Sequence, residues 1–79
     1  MNNRIKRYFD DSDPRFIVFP NKIYAINYKK IISLEENRVS ILFNNKRIIF
    51  KGNNFILYKL LDYEVLINGK VSSIEVFDV

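Results

Sequence analysis

Residues 38–51 read RVSILFNNKRIIFK. Val39, Ile41 and Phe43 alternate with Arg38, Ser40 and Leu42, the period of two that a strand imposes on its side chains. Asn44 and Asn45 tolerate positive φ, so the pair is read as a two-residue type I′ turn. That turn predicts a register in which Phe43 faces Lys46, Ile41 faces Ile48 and Val39 faces Phe50. One face of the hairpin is then almost wholly apolar, and Arg38, Ser40, Arg47 and Lys51 lie on the other.

The same period extends in both directions. Residues 16–19 form a short extended run ended by Pro20, and residues 22–28 and 29–34 are β-branched and aromatic enough for two more strands. Beyond the hairpin, Gly52-Asn53-Asn54 is read as a turn. Residues 55–60, 64–67 and 71–77 follow as strands, with turns near Asp62 and at Asn68-Gly69. About seven short strands with frequent turns predict an all-β antiparallel meander, as a sandwich, a curved sheet or a partly closed barrel. Its turns are assigned to Pro20, Asn44, Asn45, Gly52 and Gly69, the last two being the chain's only glycines. The pieces IFKG at 49–52 and LING at 66–69 are alike but too brief to establish a solenoid repeat.

Residues 1–15 differ from the rest. Asn2 or Asn3 is suited to cap a short helix whose Ile5, Tyr8 and Phe9 share one face, opposite Arg4, Lys6 and Arg7. Asp10, Asp11, Ser12 and Asp13 interrupt it, and Pro14 stops it. The predicted organisation is therefore a charged, amphipathic segment at 1–15 and one small β domain at 16–79.

Composition narrows the function. The 79 residues are 48% hydrophobic and 15% aromatic, enough to fold rather than stay disordered. With neither cysteine nor histidine, the chain has no disulfide, no thiolate or imidazole metal ligand, and no Ser-His-Asp triad. Gly69-Lys70 is followed by Val71 where a phosphate loop needs a hydroxyl. Asp11, Ser12 and Asp13 lack the glycine and glutamate that complete a calcium loop. Glu35 and Glu36 are adjacent, so on a strand they point to opposite faces. No catalytic set, cofactor site or metal site is encoded, and the expected protein is not an enzyme. No apolar run approaches the ~20 residues of a membrane span, and none follows the basic start as a signal peptide would require. The expected compartment is cytoplasmic.

The net charge of +4 is uneven: residues 22–59 hold eight basic and two acidic groups. This leaves two readings open. A small basic β-barrel binding RNA or single-stranded DNA would stack bases on its aromatics. A protein-interaction module would use the same tyrosines, since each offers an apolar ring with a polar tip. Phe43, Phe50 and Phe55 are assigned to the core, whereas Tyr24, Tyr28 and Tyr58 suit either kind of surface.

Residues 50–57, FKGNNFIL, present an apolar residue, Lys, Gly, two polar residues and an apolar strand. Leu60, then Glu64-Val65-Leu66-Ile67-Asn68-Gly69-Lys70-Val71 and the closing Ile74-Glu75-Val76-Phe77-Asp78, continue the pattern. Upstream stand Leu34-Glu35-Glu36-Asn37 and Pro20 with Ile23. On these residues the stretch 20–77 resembles the YabP/YqfC family of sporulation proteins of endospore-forming bacteria. It departs from that family in having Asn27 where a glycine is common and Arg38-Val39 after the Glu-Asn pair. The resemblance implies a small β adaptor without catalysis, made in the mother cell and acting in spore envelope formation. It also implies an integral-membrane sporulation protein as partner, met at the forespore membrane.

A small open meander leaves two edge strands whose N–H and C=O groups need a partner. Pro14 and Pro20 guard the first strand, while the last strand, residues 71–77, has no proline. The expected interface therefore comprises Val71, Ile74 and Val76 together with Ile5, Tyr8 and Phe9, and the expected state is a homo-oligomer.

Overall fold

The central hairpin forms with the expected core register, Val39 opposite Phe50 and Ile41 opposite Ile48. The computed structural model describes residues 13–79; the expected N-terminal helix with Ile5, Tyr8 and Phe9 lies outside them. The strands are β1 (Arg15–Phe19), β2 (Lys22–Ile26), β3 (Lys30–Glu35), β4 (Arg38–Leu42), β5 (Lys46–Leu60) and β6 (Glu64–Asp78). They make one antiparallel sheet in the order β1-β2-β6-β5-β4-β3. The sheet is all-β, curved and unclosed, because β1 and β3 at its ends do not pair with each other.

Two turn assignments are corrected. Gly52-Asn53-Asn54 and Asn68-Gly69 do not reverse the chain; β5 and β6 run through them as 15-residue strands. About seven short strands become six, two of them long. The glycines serve a different purpose. The Gly52 N–H donates to the Asn37 carbonyl at 3.1 Å, and the Gly69 N–H donates to the Asn21 carbonyl at 2.9 Å. Each glycine thus lies where a short hairpin's turn closes onto a long strand. Irregular register between Lys51 and Gly52, Asn53 and Ile56, and Leu57 and Lys59 bends the long pair, as bulges do, and Asn54 takes φ 60° within it. The third correction is at Asn44-Asn45. The loop is closed by the Phe43 N–H to the Lys46 carbonyl at 2.8 Å, but neither asparagine has positive φ, so it is not type I′. Phe43 turns inward against Phe16, ring centroids 6.0 Å apart, and core pairing rather than mirror-image turn geometry holds the register.

The registers contain a repeat. Across β1-β2-β6-β5, Val18, Ile23, Ile67 and Leu57 form one row, and Phe16, Ala25, Val65 and Leu60 the next but one. Across β3-β4-β5-β6, Leu34, Val39, Phe50 and Ile74 form the matching row, and Ile31, Ile41, Ile48 and Val76 its companion. Turn Pro20-Asn21 corresponds to Glu36-Asn37, and Gly69 to Gly52. The short likeness of IFKG to LING is therefore the trace of a pseudo-two-fold arrangement, two four-strand halves sharing the long strands. The four rows make one core in which Ile23, Ala25, Val39, Ile41, Phe50, Val65 and Ile67 are fully buried. Phe43 and Phe55 are buried as expected, and Phe16 joins the halves by meeting Phe50 edge-on at 5.1 Å. Ser40, expected on the outward face, is also buried, as is Ile49 opposite it.

Asn27 stands at φ 57° between β2 and β3, with its N–H on the Tyr63 carbonyl at 2.7 Å and its Nδ2 on the Asp13 carbonyl at 3.1 Å. Left-handed geometry suits Asn or Gly and penalises branched side chains. Asn27→Gly is expected to stay within ~1 kcal/mol of wild type in urea unfolding, whereas Asn27→Val should lose about 1–2 kcal/mol more.

Candidate functional site

Strand order leaves the long strands half-paired. β4 covers β5 only over residues 47–51, and the Glu36-Asn37 turn continues as far as the Phe55 N–H, which donates to the Glu36 carbonyl at 2.8 Å. Beyond it, residues 56–60 of β5 have β6 on one flank and, among the described residues, no strand on the other. β2 covers β6 only over residues 64–68. Among the described residues, 70–78 of β6 therefore have β5 alone beside them. The two open runs occupy equivalent places in the two halves.

Both runs expose side chains that belong to the core face. Leu57 and Leu60 lie opposite the buried Ile67 and Val65, yet are 44% and 56% exposed. Ile74 and Val76 lie opposite the buried Phe50 and Ile48, yet are 41% and 57% exposed. At the outer ends of the same rows, on β1 and β3, Phe16, Ile31 and Leu34 pack against the core instead, while Val18 is 37% exposed. The core face of the curved sheet is thus mostly covered at its β1 and β3 ends and left open along the half-paired runs of β5 and β6. Ile56 and Tyr58 extend the apolar surface on β5, and Phe77 does so on β6.

Among the expected interface residues, Val71 is half-buried against the core, while Ile74 and Val76 line the β6 edge. Pro20, Asn44 and Asn45 occupy exposed turns, and Gly52 and Gly69 are half-buried in β5 and β6. The β5 edge was missed because reading Gly52-Asn53-Asn54 as a reversal hid the length of β5. Composition does not mark it as an edge either: residues 55–61, FILYKLL, have one charge and no proline, so the run lacks the guards that edge strands usually carry.

The basic middle of the sequence lies against acids from the C-terminal strand. On the outward face, Lys51 bonds Glu75 at 3.3 Å and Arg47 sits 5.1 Å over the Phe77 ring, while Lys46 bonds Asp78 at the end of the β5-β6 pair. The Lys46 ammonium holds the Asp78 carboxyl below its ordinary value. These exposed pairs contribute little to stability, but they dilute the positive field that Arg38, Arg47 and Lys51 would present. Tyr24 is half-buried in the row Ile17, Tyr24, Leu66, Lys59. Partial burial, with the Glu64 carboxylate beside it, raises its phenol above the ordinary value; burial does the same for Tyr28. Tyr58 is 65% exposed on the β5 edge.

The described residues contain no group of three or more potential acidic metal ligands and no helix long and apolar enough to cross a membrane. No protein-family model, curated protein or solved structure matches the chain.

Proposed function

We propose that the chain is a non-enzymatic interaction module that receives a partner protein at its open sheet edges. One observation carries this reading: core-face side chains Leu57, Leu60, Ile74 and Val76 are exposed on strand runs that, among the described residues, have a strand partner on one flank alone. An added strand would satisfy the free backbone groups and bury those side chains together, the energetic basis of recognition by strand addition. The resemblance of residues 20–77 to YabP/YqfC proteins supports placing this activity in the mother cell during spore envelope formation. On that reading the partner is an integral-membrane sporulation protein at the forespore membrane.

The test is genetic. Deleting the gene in its host should lower the yield of heat-resistant spores, and the wild-type chain should restore it. A Leu57→Lys, Ile74→Lys double variant that folds and accumulates normally should fail to restore it. Full spore yield in the deletion strain overturns the sporulation role. Full rescue by the edge variant overturns the edges as the contact.

A further inference from the structure

We infer that copies of this chain join head to tail, the β5 edge of one copy pairing antiparallel with the β6 edge of the next. The result is an open-ended string of copies sharing one continuous sheet. This rests on reading the two edges as docking surfaces, and it names a second copy of the chain as an occupant.

Register and charge favour one pairing among those that bring both core-face side chains of each edge into contact. On the β5 edge, Leu57 and Leu60 face the core, whereas Ile56 and Lys59 lie opposite Asn68 and Leu66 on the outward face, with Tyr58 the extra residue between Leu57 and Lys59. On the β6 edge, Ile74 and Val76 face the core, whereas Glu75 and Phe77 lie opposite Ile49 and Arg47 on the outward face. An added strand has to keep core face with core face, because a slip of one residue inverts every side chain. If the β5 edge pairs with itself so that Leu57 meets Leu60, Lys59 falls opposite Lys59. If the β6 edge pairs with itself so that Ile74 meets Val76, Glu75 falls opposite Glu75. Like charges directly opposite are destabilising. The cross pairing has no such conflict. It sets Leu57 against Val76 and Leu60 against Ile74 on the core face, with Ile56 against Phe77 and Lys59 against Glu75 outside.

Glu75 already bonds Lys51 of its own chain, but that pair is exposed, and a carboxylate has acceptor sites for a second donor. The joint uses a different edge on each copy, so every added copy presents a fresh edge, the property that distinguishes filaments or rings from closed dimers. Each edge exposes only a few apolar side chains, Ile56, Leu57, Tyr58 and Leu60 on β5 and Ile74, Val76 and Phe77 on β6, a small contact beside the ~800 Å² per partner of a stable interface. Assembly is accordingly reversible and grows with concentration.

Sedimentation velocity and light scattering on the full chain, through tens of micromolar, test the joint with Lys59→Glu, Glu75→Lys and the combined variant. Wild type should pass beyond dimer mass as concentration rises. Each single variant sets like charges across the joint and should raise the half-assembly concentration by about fivefold. The combined variant restores opposite charges and should return to within about twofold of wild type. Glu75→Gln, which removes the charge at constant size, should fall between, and thermal melts of all four separate folding from assembly. A wild-type chain that stays monomeric or stops at a dimer overturns the joint, as do single variants that assemble like wild type or a well-folded combined variant that does not recover. A monomer would leave the edges to a different protein, which the spore assay reads independently.

Discussion

Gly52→Ala is expected to remove roughly 3–4 kcal/mol of stability, out of about 4–12 kcal/mol for a chain of this size. A methyl group on Gly52 would lie 1.8 Å from the Lys70 carbonyl oxygen, 2.8 Å from its carbon and 2.9 Å from Cζ of Phe55. The Phe55 ring can turn aside, but the Lys70 backbone is held in the β5-β6 ladder by the pairing of Asn53 with Lys70. Relief therefore requires the two long strands to separate where both halves of the sheet depend on them. Gly69→Ala should cost less, about 2–3 kcal/mol: its nearest obstacle is Cδ1 of Phe55 at 2.3 Å, a side chain, and its φ of 142° supplies backbone strain in addition. Urea unfolding monitored by circular dichroism measures both. A Gly52→Ala chain unfolding within ~1 kcal/mol of wild type would show that β5 and β6 do not approach here.

Phe50→Ala should be comparably severe, at about 3–5 kcal/mol, the usual range for emptying a large buried aromatic site. Phe50 is fully buried, lies between Val39 and Ile74 in its row, and receives the edge of Phe16 from the other half of the sheet. Its neighbours are backbone-paired strands with little freedom to collapse into the space. Phe77, 41% exposed at the β6 edge, is the comparison: Phe77→Ala should cost about 1 kcal/mol. Equal losses at Phe50 and Phe77 would be incompatible with a core centred on the rows of β4, β5 and β2.

The unlike behaviour of these sites parallels what was legible in advance. Val39, Ile41, Phe43, Ile48 and Phe50 were assignable to the core from alternation alone, because a strand's pleat forces every second side chain to one face whatever else the chain does. Pro20 ended its strand for an equally local reason, a fixed φ and a missing donor. Ser40 and Ile49 are the exception among these strands, buried on the outward face, and alternation carries no information about a second covered face.

Composition and the period of two determined by themselves that the chain folds into antiparallel β structure with a named apolar face. Those properties follow from local sterics and from the free energy of burying apolar surface. The tertiary structure alone decided what Gly52 and Gly69 do. Glycine permits a reversal and a close approach equally well, and the choice depends on the carbonyls of Asn37, Asn21 and Lys70, which come from elsewhere in the chain. It also decided which edges are open. The last strand was read as residues 71–77 with one flank open, and among the described residues that stretch of β6 does pair with β5 alone, but its continuation through 64–68 between β2 and β5 and the open run of β5 were not foreseen. Whether a strand has a neighbour is a property of strand order, and no stretch of sequence records it, because hydrogen bonds across a sheet are made by backbone groups that every residue but proline carries alike.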